Sequence, residues 1–268
     1  MHSQFWYRMI KNCYKHCASI NAVGSLWCIG KNAITEILTQ MGLLDGHLLT
    51  LSNLDIEYEK TNYSKLKFKN DTKAFMVRHN FLEMMVRLSS LIYSKQALNP
   101  NPKDVIKYTE NFKEFFKNFC KMFFAQFSAE QSFRETTIWV EPVDYILKLH
   151  KVILDSVWKT FSGSRTLPGD RPWMSLDEYR LLIKRAGLEK EIVDRDINLT
   201  FNISIQTQVD ELDSTRCFEM HYVEYLESIC RLADKVSLPN LYYSLEEGES
   251  LGREERDSQP LCMKIEAL

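Results

Sequence analysis

Glycine and proline are scarce, nine and seven residues in a chain of 268. So little of both leaves few sites for tight turns or left-handed backbone, which counts against a β-rich fold and against Gly-rich loops that cradle phosphates. Long apolar runs are missing as well, and none approaches the roughly 20 residues that span a bilayer. The net charge is only −2. No global field therefore draws the chain to nucleic acid or to an anionic membrane, and no nucleic-acid partner is expected. The constellations of common enzymes are also absent: no HExxH, no Gly-x-Ser-x-Gly, no P-loop and no DxD within a strand pattern. Glu219 and His221 stand near Glu224, but an acid and a histidine on adjacent turns read as surface residues rather than a general acid–base pair. The chain is expected not to be an enzyme and to carry no resident cofactor.

Cysteine is not absent but odd in number, with seven at positions 13, 17, 28, 120, 217, 230 and 262. The opening MHSQFWYRMIKNCYKHC has no secretory leader, so the thiols are expected to be reduced in an intracellular compartment. Cys13, His16, Cys17 and Cys28 invite a zinc reading, since Cys13 and His16 fit one helical face. Paired CxxC knuckles are missing, and the thiols read better as core residues of an amphipathic helix.

What the chain does have is helical periodicity. Phe5, Trp6, Met9, Ile10, Cys13, Tyr14 and Cys17 form one stripe, broken at residues 21–25. Helices are expected again over 32–41, stopping at Gly42, and over 50–59 behind a Thr or Ser cap. A polar, Lys-rich interval (60–73) leads to a helix carrying Phe81. Glu141-Pro142 opens a later one with Val143, Ile146, Leu147, His150, Ile153, Leu154 and Val157 or Trp158 inward, ending at Ser162-Gly163-Ser164. The acidic segment 244–257 lacks periodicity and is expected to be disordered.

The organising stretch is 213–235, DSTRCFEMHYVEYLESICRLADK. Counting back from Glu224, Met220 stands four residues earlier and Asp213 eleven earlier. That spacing is the frame of a twelve-residue calcium loop, with an acid at position 1, an apolar residue at 8 and a Glu at 12. The apolar residue at 8 is the one that pairs with a sister loop through a short β-bridge. Asp213 and Glu224 are thus the two metal candidates. Thr215 and Cys217 occupy positions 3 and 5, and Phe218 occupies position 6, where a glycine makes the sharp turn. A sister frame ends at Glu178 with Met174 at position 8, but its position 1 is Leu167, which ligates no metal.

The same stretch has an echo upstream. Phe81-Leu82-Glu83-Met84-Met85-Val86-Arg87-Leu88-Ser89 matches Tyr225-Leu226-Glu227-Ser228-Ile229-Cys230-Arg231-Leu232-Ala233 in type at nearly every position. Met76 and Met220 precede the two segments at the same distance, and Asn80 stands where Glu224 stands later. Gly42-Leu43 pairs with Gly187-Leu188, and Asp55-Ile56 with Asp196-Ile197. Two copies of one helical module are expected.

Between the copies lies an aromatic helix with Val105, Tyr108, Phe112, Phe115, Phe116, Phe119, Met122, Phe123 and Phe127 at three- and four-residue steps. Lys113, Lys117 and Lys121 stand on its other side. Residues 112–123 suit a membrane-surface helix. The stripe suits a core helix better, with Phe112, Phe116, Phe119 and Phe123 internal and Phe115 left to reach a partner.

These features resemble a tandem of degenerate EF-hand pairs, similar to the calmodulin-like superfamily and, more narrowly, to helical modules of protist ciliary or flagellar proteins. The resemblance covers residues 5–93 and 141–236. It implies helix–loop–helix pairs that clasp partner helices, with calcium as an optional input. The expected architecture is all-α: an EF-hand-like module at 1–97, a linker with the aromatic helix at 98–140, a second module at 141–240 and an acidic disordered tail at 241–268. The expected function is a non-catalytic structural or adaptor subunit of a larger assembly, cytoplasmic or ciliary and cytoskeletal, gripping other proteins in hydrophobic grooves. The alternative is a calcium-sensing regulatory protein with Asp213 and Glu224 as outer ligands.

Overall fold

A computed structural model describes residues 2–20, 28–63, 75–94, 105–127, 129–206, 214, 216–239 and 252–268. The fold is all-α, and its extended structure among the described residues is one two-stranded ribbon and one isolated bridge. The chain divides into two compact units, Met1–Ser128 with Asp210–Ser214, and Ala129–Val209 with Thr215–Leu268.

The first unit runs α1 (His2–Ile20), β1 (Cys28–Ile29), α2 (Lys31–Gln40), α3 (Leu51–Asn62), β2 (Met76–Val77) and α4 (Arg78–Ser94). It ends with α5 (Val105–Phe115), a π-helical turn (Phe116–Cys120) and α6 (Lys121–Ala125). Local chemistry sets the boundaries. Thr50 opens α3 by accepting from the Asn53 amide, while the Asn53 side chain accepts from the Thr50 amide. That reciprocal box satisfies two donors a helix start leaves orphaned. Gly42 closes α2 at φ +71, a left-handed position that costs glycine nothing. The two strands pair antiparallel, Cys28 with Val77 and Ile29 with Met76, so the start of α2 is joined to the start of α4.

The core of this unit gathers Ile34, Leu38, Leu54, Phe81, Met84 and Leu88 from the paired helices. The aromatic helix enters the same core through Phe115, Phe116, Cys120 and Phe124. Residues 98–140 are therefore not a separate linker with its helix. Residues 105–127 complete the first unit, and residues 129–140 belong to the second.

Two assignments within the aromatic helix are corrected. Phe115, expected to reach a partner, is fully buried, and Met122, expected inward, is 84% exposed. The π turn is the reason: it inserts one residue into the helical repeat, so the buried face passes from 115 and 116 to 120 and 124. Phe112, Phe119 and Phe123 pack half-buried along the edge.

The second unit runs α7 (Ala129–Phe133), a π-helical turn (Arg134–Ile138), α8 (Glu141–Leu149), α9 (Lys151–Phe161), α10 (Leu176–Arg185) and a short 3-10 turn (Leu188–Lys190). It continues with α11 (Asp194–Ser204), a 3-10 turn (Arg216–Phe218), α12 (Tyr222–Lys235), α13 (Arg253–Ser258) and α14 (Leu261–Ala267). Ser175 and Glu178 cap α10 with a reciprocal box, and Gly187 closes it at φ +74. Tyr179, Ile183, Phe201, Met220, Tyr225 and Leu232 are buried in this unit. Tyr179 lies against Phe201, and Trp158 against Tyr225.

The segments whose sequences echo each other occupy matching places. Phe81, Met84, Met85, Leu88 and Ser89 on α4 are buried, as are Tyr225, Ser228, Ile229, Leu232 and Ala233 on α12. Each helix also carries the same internal ion pair, Glu83–Arg87 at 2.6 Å and Glu227–Arg231 at 2.8 Å.

Two further expectations are corrected. The helix opened by Glu141-Pro142 bends at His150 (φ −93, ψ 13), and Ile153 then faces solvent instead of the core. The segment 241–268 is not a disordered tail throughout, because residues 253–258 and 261–267 are helical and Leu261 and Ile265 are buried. An eight-residue apolar pattern beside an acidic run is too short to register as a helix by itself, and only its tertiary contacts stabilise it. The expected break at 21–25 and residues 98–104 at the start of the expected linker lie outside the described residues. So do residues 64–73 of the Lys-rich interval.

Candidate functional site

The second unit brings two loops side by side, and both expected position-8 methionines meet there. The Met174 amide donates to the Met220 carbonyl at 2.8 Å, and the Met220 amide donates back at 3.0 Å. Each loop ends four residues later in a buried glutamate, Glu178 or Glu224, on the first turn of its exiting helix.

Glu178 closes its loop by hydrogen bonds alone. Its Oε1 accepts from the Ser164 amide at 2.9 Å, and its Oε2 from the Ser175 amide at 2.6 Å and the Ser175 hydroxyl at 2.8 Å. Burial raises the carboxyl pKa, but the bonds from Ser164 and Ser175 favour the anion more, and the net effect lowers it. Gly163, at φ +92, lets the chain turn so that its amide reaches the Trp173 carbonyl at 2.9 Å. An open depression of about 790 Å³ lies beside this turn, lined by Phe161, Ser162, Gly163, Ser164, Glu178 and Arg185 among others.

Glu224 closes its loop in the same way and adds a cation. Oε1 accepts from the Gln206 amide at 2.8 Å and from Arg216 Nη2 at 2.6 Å, while Oε2 accepts from the His221 amide at 2.8 Å. Arg216 Nη1 donates to the Glu219 carbonyl, so the guanidinium bridges the loop backbone to the carboxylate. A protein cation thus sits on the carboxylate that a metal would use. The donor set fits calcium poorly, since that ion takes six to eight oxygens and here would face a fixed positive charge. Burial lowers the pKa of His221, and the Arg216 charge adds to the effect. Asp213 and Thr215 lie outside the described residues. Cys217 and Phe218 belong to the short 3-10 turn that carries Arg216. At the matching place in the first unit, Asn80 is buried without a carboxylate.

Arg216 carries no metal-ligand signature in the sequence, since a cation three residues after Asp213 ligates no metal. A second charged cluster has no local signal in the sequence either. Arg134 Nε donates to Glu227 at 2.9 Å, and its Nη2 to the Ile203 carbonyl at 2.9 Å. Arg231 binds Glu227 and, at 2.5 Å, Glu130, with its guanidinium over the Phe133 ring. Alternating charges of this kind fasten the π turn to α12. Both carboxylates of the cluster, Glu130 and Glu227, are paired with arginine, the arrangement of a clamp between segments.

Of the cysteines, Cys13, Cys17, Cys28, Cys120 and Cys230 are buried. Cys13 and Cys17 approach at 3.9 Å between sulfurs in the first core, and burial pushes the Cys13 thiol up, with the Cys17 contact adding. His16 lies against Phe127. Among the described residues no group of three or more His, Cys, Asp or Glu stands close enough to hold a metal. No helix there is long and apolar enough to cross a membrane.

The surface holds one more feature. Tyr145 and Leu149 on α8 and Val152 and Ile153 on α9 form an apolar stripe along the chain and are 64%, 57%, 82% and 61% exposed. Asp144–Lys148 and Lys151–Asp155 ion pairs, each at 2.5 Å, flank the stripe. Compared with family models, with curated proteins and with solved structures, the chain matches none.

Proposed function

We propose that the chain is a non-catalytic adaptor or structural subunit of a larger assembly, built from two EF-hand-like helix–loop–helix pairs. The apolar stripe of Tyr145, Leu149, Val152 and Ile153 carries this reading. Four large side chains close together in the chain on two successive helices, left in water, are what a partner surface requires and what a self-sufficient fold avoids. The pairing is supported by the antiparallel links Met174–Met220 and Ile29–Met76, and by glycine closures at φ +71 and +74. It is supported too by Glu178 and Glu224 at equivalent places. The aromatic face of residues 112–123 is spent in the core of the first unit, so the proposal makes no use of a membrane. Seven cysteines, none in a disulfide among the described residues, support an intracellular setting.

In this reading calcium is not an input, because Arg216 supplies the positive charge that Glu224 needs. The calcium sensor remains the rival, with Asp213 and Glu224 as ligands.

The deciding experiment compares the full chain with a Val152→Glu, Ile153→Glu variant, each tagged and cross-linked in its own cells. The variant should lose the proteins that the parent retains in stoichiometric amount, while stability shifts by no more than about 0.5 kcal/mol, as befits exposed positions. Retention of the same proteins by the variant defeats the proposal. Adding calcium should leave the melting temperature of the parent unchanged. A rise that Glu224→Gln abolishes would establish the sensor instead.

A further inference from the structure

The helix α14 lies in a trough whose walls are α8 and α12. Its floor is made of Ile138, Val143, Ile146, Cys230 and Ala233. Helix α12 has two unlike faces. Tyr225 and Leu232 are buried as large residues of the unit's interior, whereas Cys230 and Ala233 give the trough its small side chains. Small residues there let another helix approach closely. Into this space α14 places Leu261 and Ile265, both buried, with Cys262 and Leu268 packed half-buried beside them. Those positions are i, i+1, i+4 and i+7, the anchor pattern of an amphipathic helix lying in a groove. One charge fixes the direction: Lys264 Nζ stands 3.6 Å from Asp234 at the trough rim.

Helix α13, which precedes α14, has no buried residue, and Arg256 on it donates to the Ser237 hydroxyl at 3.3 Å. A helix of seven residues does not persist without its groove, because isolated helices shorter than about 12–15 residues are marginal in water. The occupant is thus short, anchored by few side chains and tied to the unit through a scarcely buried strap.

We propose that the trough between α8 and α12 is a docking site for an amphipathic helix of another protein, and that residues 261–268 occupy it in cis as an exchangeable competitor. The partner helix carries apolar residues at i, i+1, i+4 and i+7 and a lysine or arginine at i+3 to meet Asp234. This rests on the adaptor reading and names the chemistry of one of its grooves. Tethering gives the internal helix an effective concentration on the order of millimolar, so a partner must bind tightly or arrive when the strap is drawn away.

The test uses the full chain and an Ile265→Asp variant, with a fluorescent peptide of residues 259–268 as the probe. The aspartate drives the internal helix from the trough without altering the floor. The variant should keep a cooperative melt and its helical circular dichroism apart from the small share of residues 261–267, and bind the peptide at least about tenfold more tightly than the parent does. Asp234→Lys in the same background should reverse most of that gain. A folded variant with no gain overturns the proposal, because the trough is then not a free-standing site. A variant that loses its helical signal overturns it equally, because residues 261–268 are then a fixed part of the core. The stripe of Val152 and Ile153 is untouched by these changes. Loss of partners in the stripe variant and gain of peptide in this one therefore succeed or fail separately.

Discussion

Arg216 and Glu224 show how one substitution can change what a loop needs. A buried carboxylate requires a counter-charge or a full set of hydrogen bonds. Glu178 meets that requirement with three donors from Ser164 and Ser175, and Glu224 meets it with two backbone amides and a guanidinium. Removing the guanidinium should leave the carboxylate short of one charged donor. Arg216→Met is expected to destabilise the chain by about 1–3 kcal/mol, the range for a buried group that loses its partner. Glu224→Gln in the same background should recover part of the loss, since the stranded charge is gone. Urea unfolding of the two variants measures both effects, and a neutral Arg216→Met would show that the cation is dispensable.

Among the elements, the aromatic helix departs most from its sequence pattern. A regular 3.6-residue repeat carries the apolar face from Phe112, Phe115, Phe116 and Phe119 to Met122 and Phe123. The π turn at Phe116–Cys120 moves that face by one residue, burying Cys120 and Phe124 and releasing Met122. Truncation should follow the observed register. Phe124→Ala is expected to cost about 3–5 kcal/mol, as deletion of a buried ring does. Met122→Ala should change stability by no more than about 0.5 kcal/mol. Equal losses at the two positions in thermal or urea melts would mean that the helix runs without the turn.

At the scale of the whole molecule, each unit has one helix with matching buried positions and the same i,i+4 ion pair, Phe81, Met84, Met85, Leu88 and Ser89 on α4 and Tyr225, Ser228, Ile229, Leu232 and Ala233 on α12. These helices pack on more than one side. Helix α4 meets α3 and α5, and α12 meets α11, α9 and α14. Amide hydrogen exchange should therefore show two maxima of protection, one in α4 and one in α12, while α13 exchanges first. A single maximum in α1 or α9 would contradict this ordering.

Sequence alone determined the helical class, the glycine stops, the cap at Thr50 and the kinship of the α4 and α12 segments. Those features are local or repeated, and helix periodicity, turn chemistry and matched residue types report them without any knowledge of neighbours. It also placed Met220 at a bridge, because the spacing back from Glu224 is itself a local geometry. Tertiary structure decided the rest. Nothing local distinguishes Phe115 buried from Phe115 exposed, or shows that Arg216 turns back onto Glu224. The pairing of Arg134 with Glu227 joins residues far apart in the chain, and the short helix at 261–267 exists only against its trough. Each of these depends on free energy gained at a contact between distant segments, and that contact has no signature in either segment read by itself.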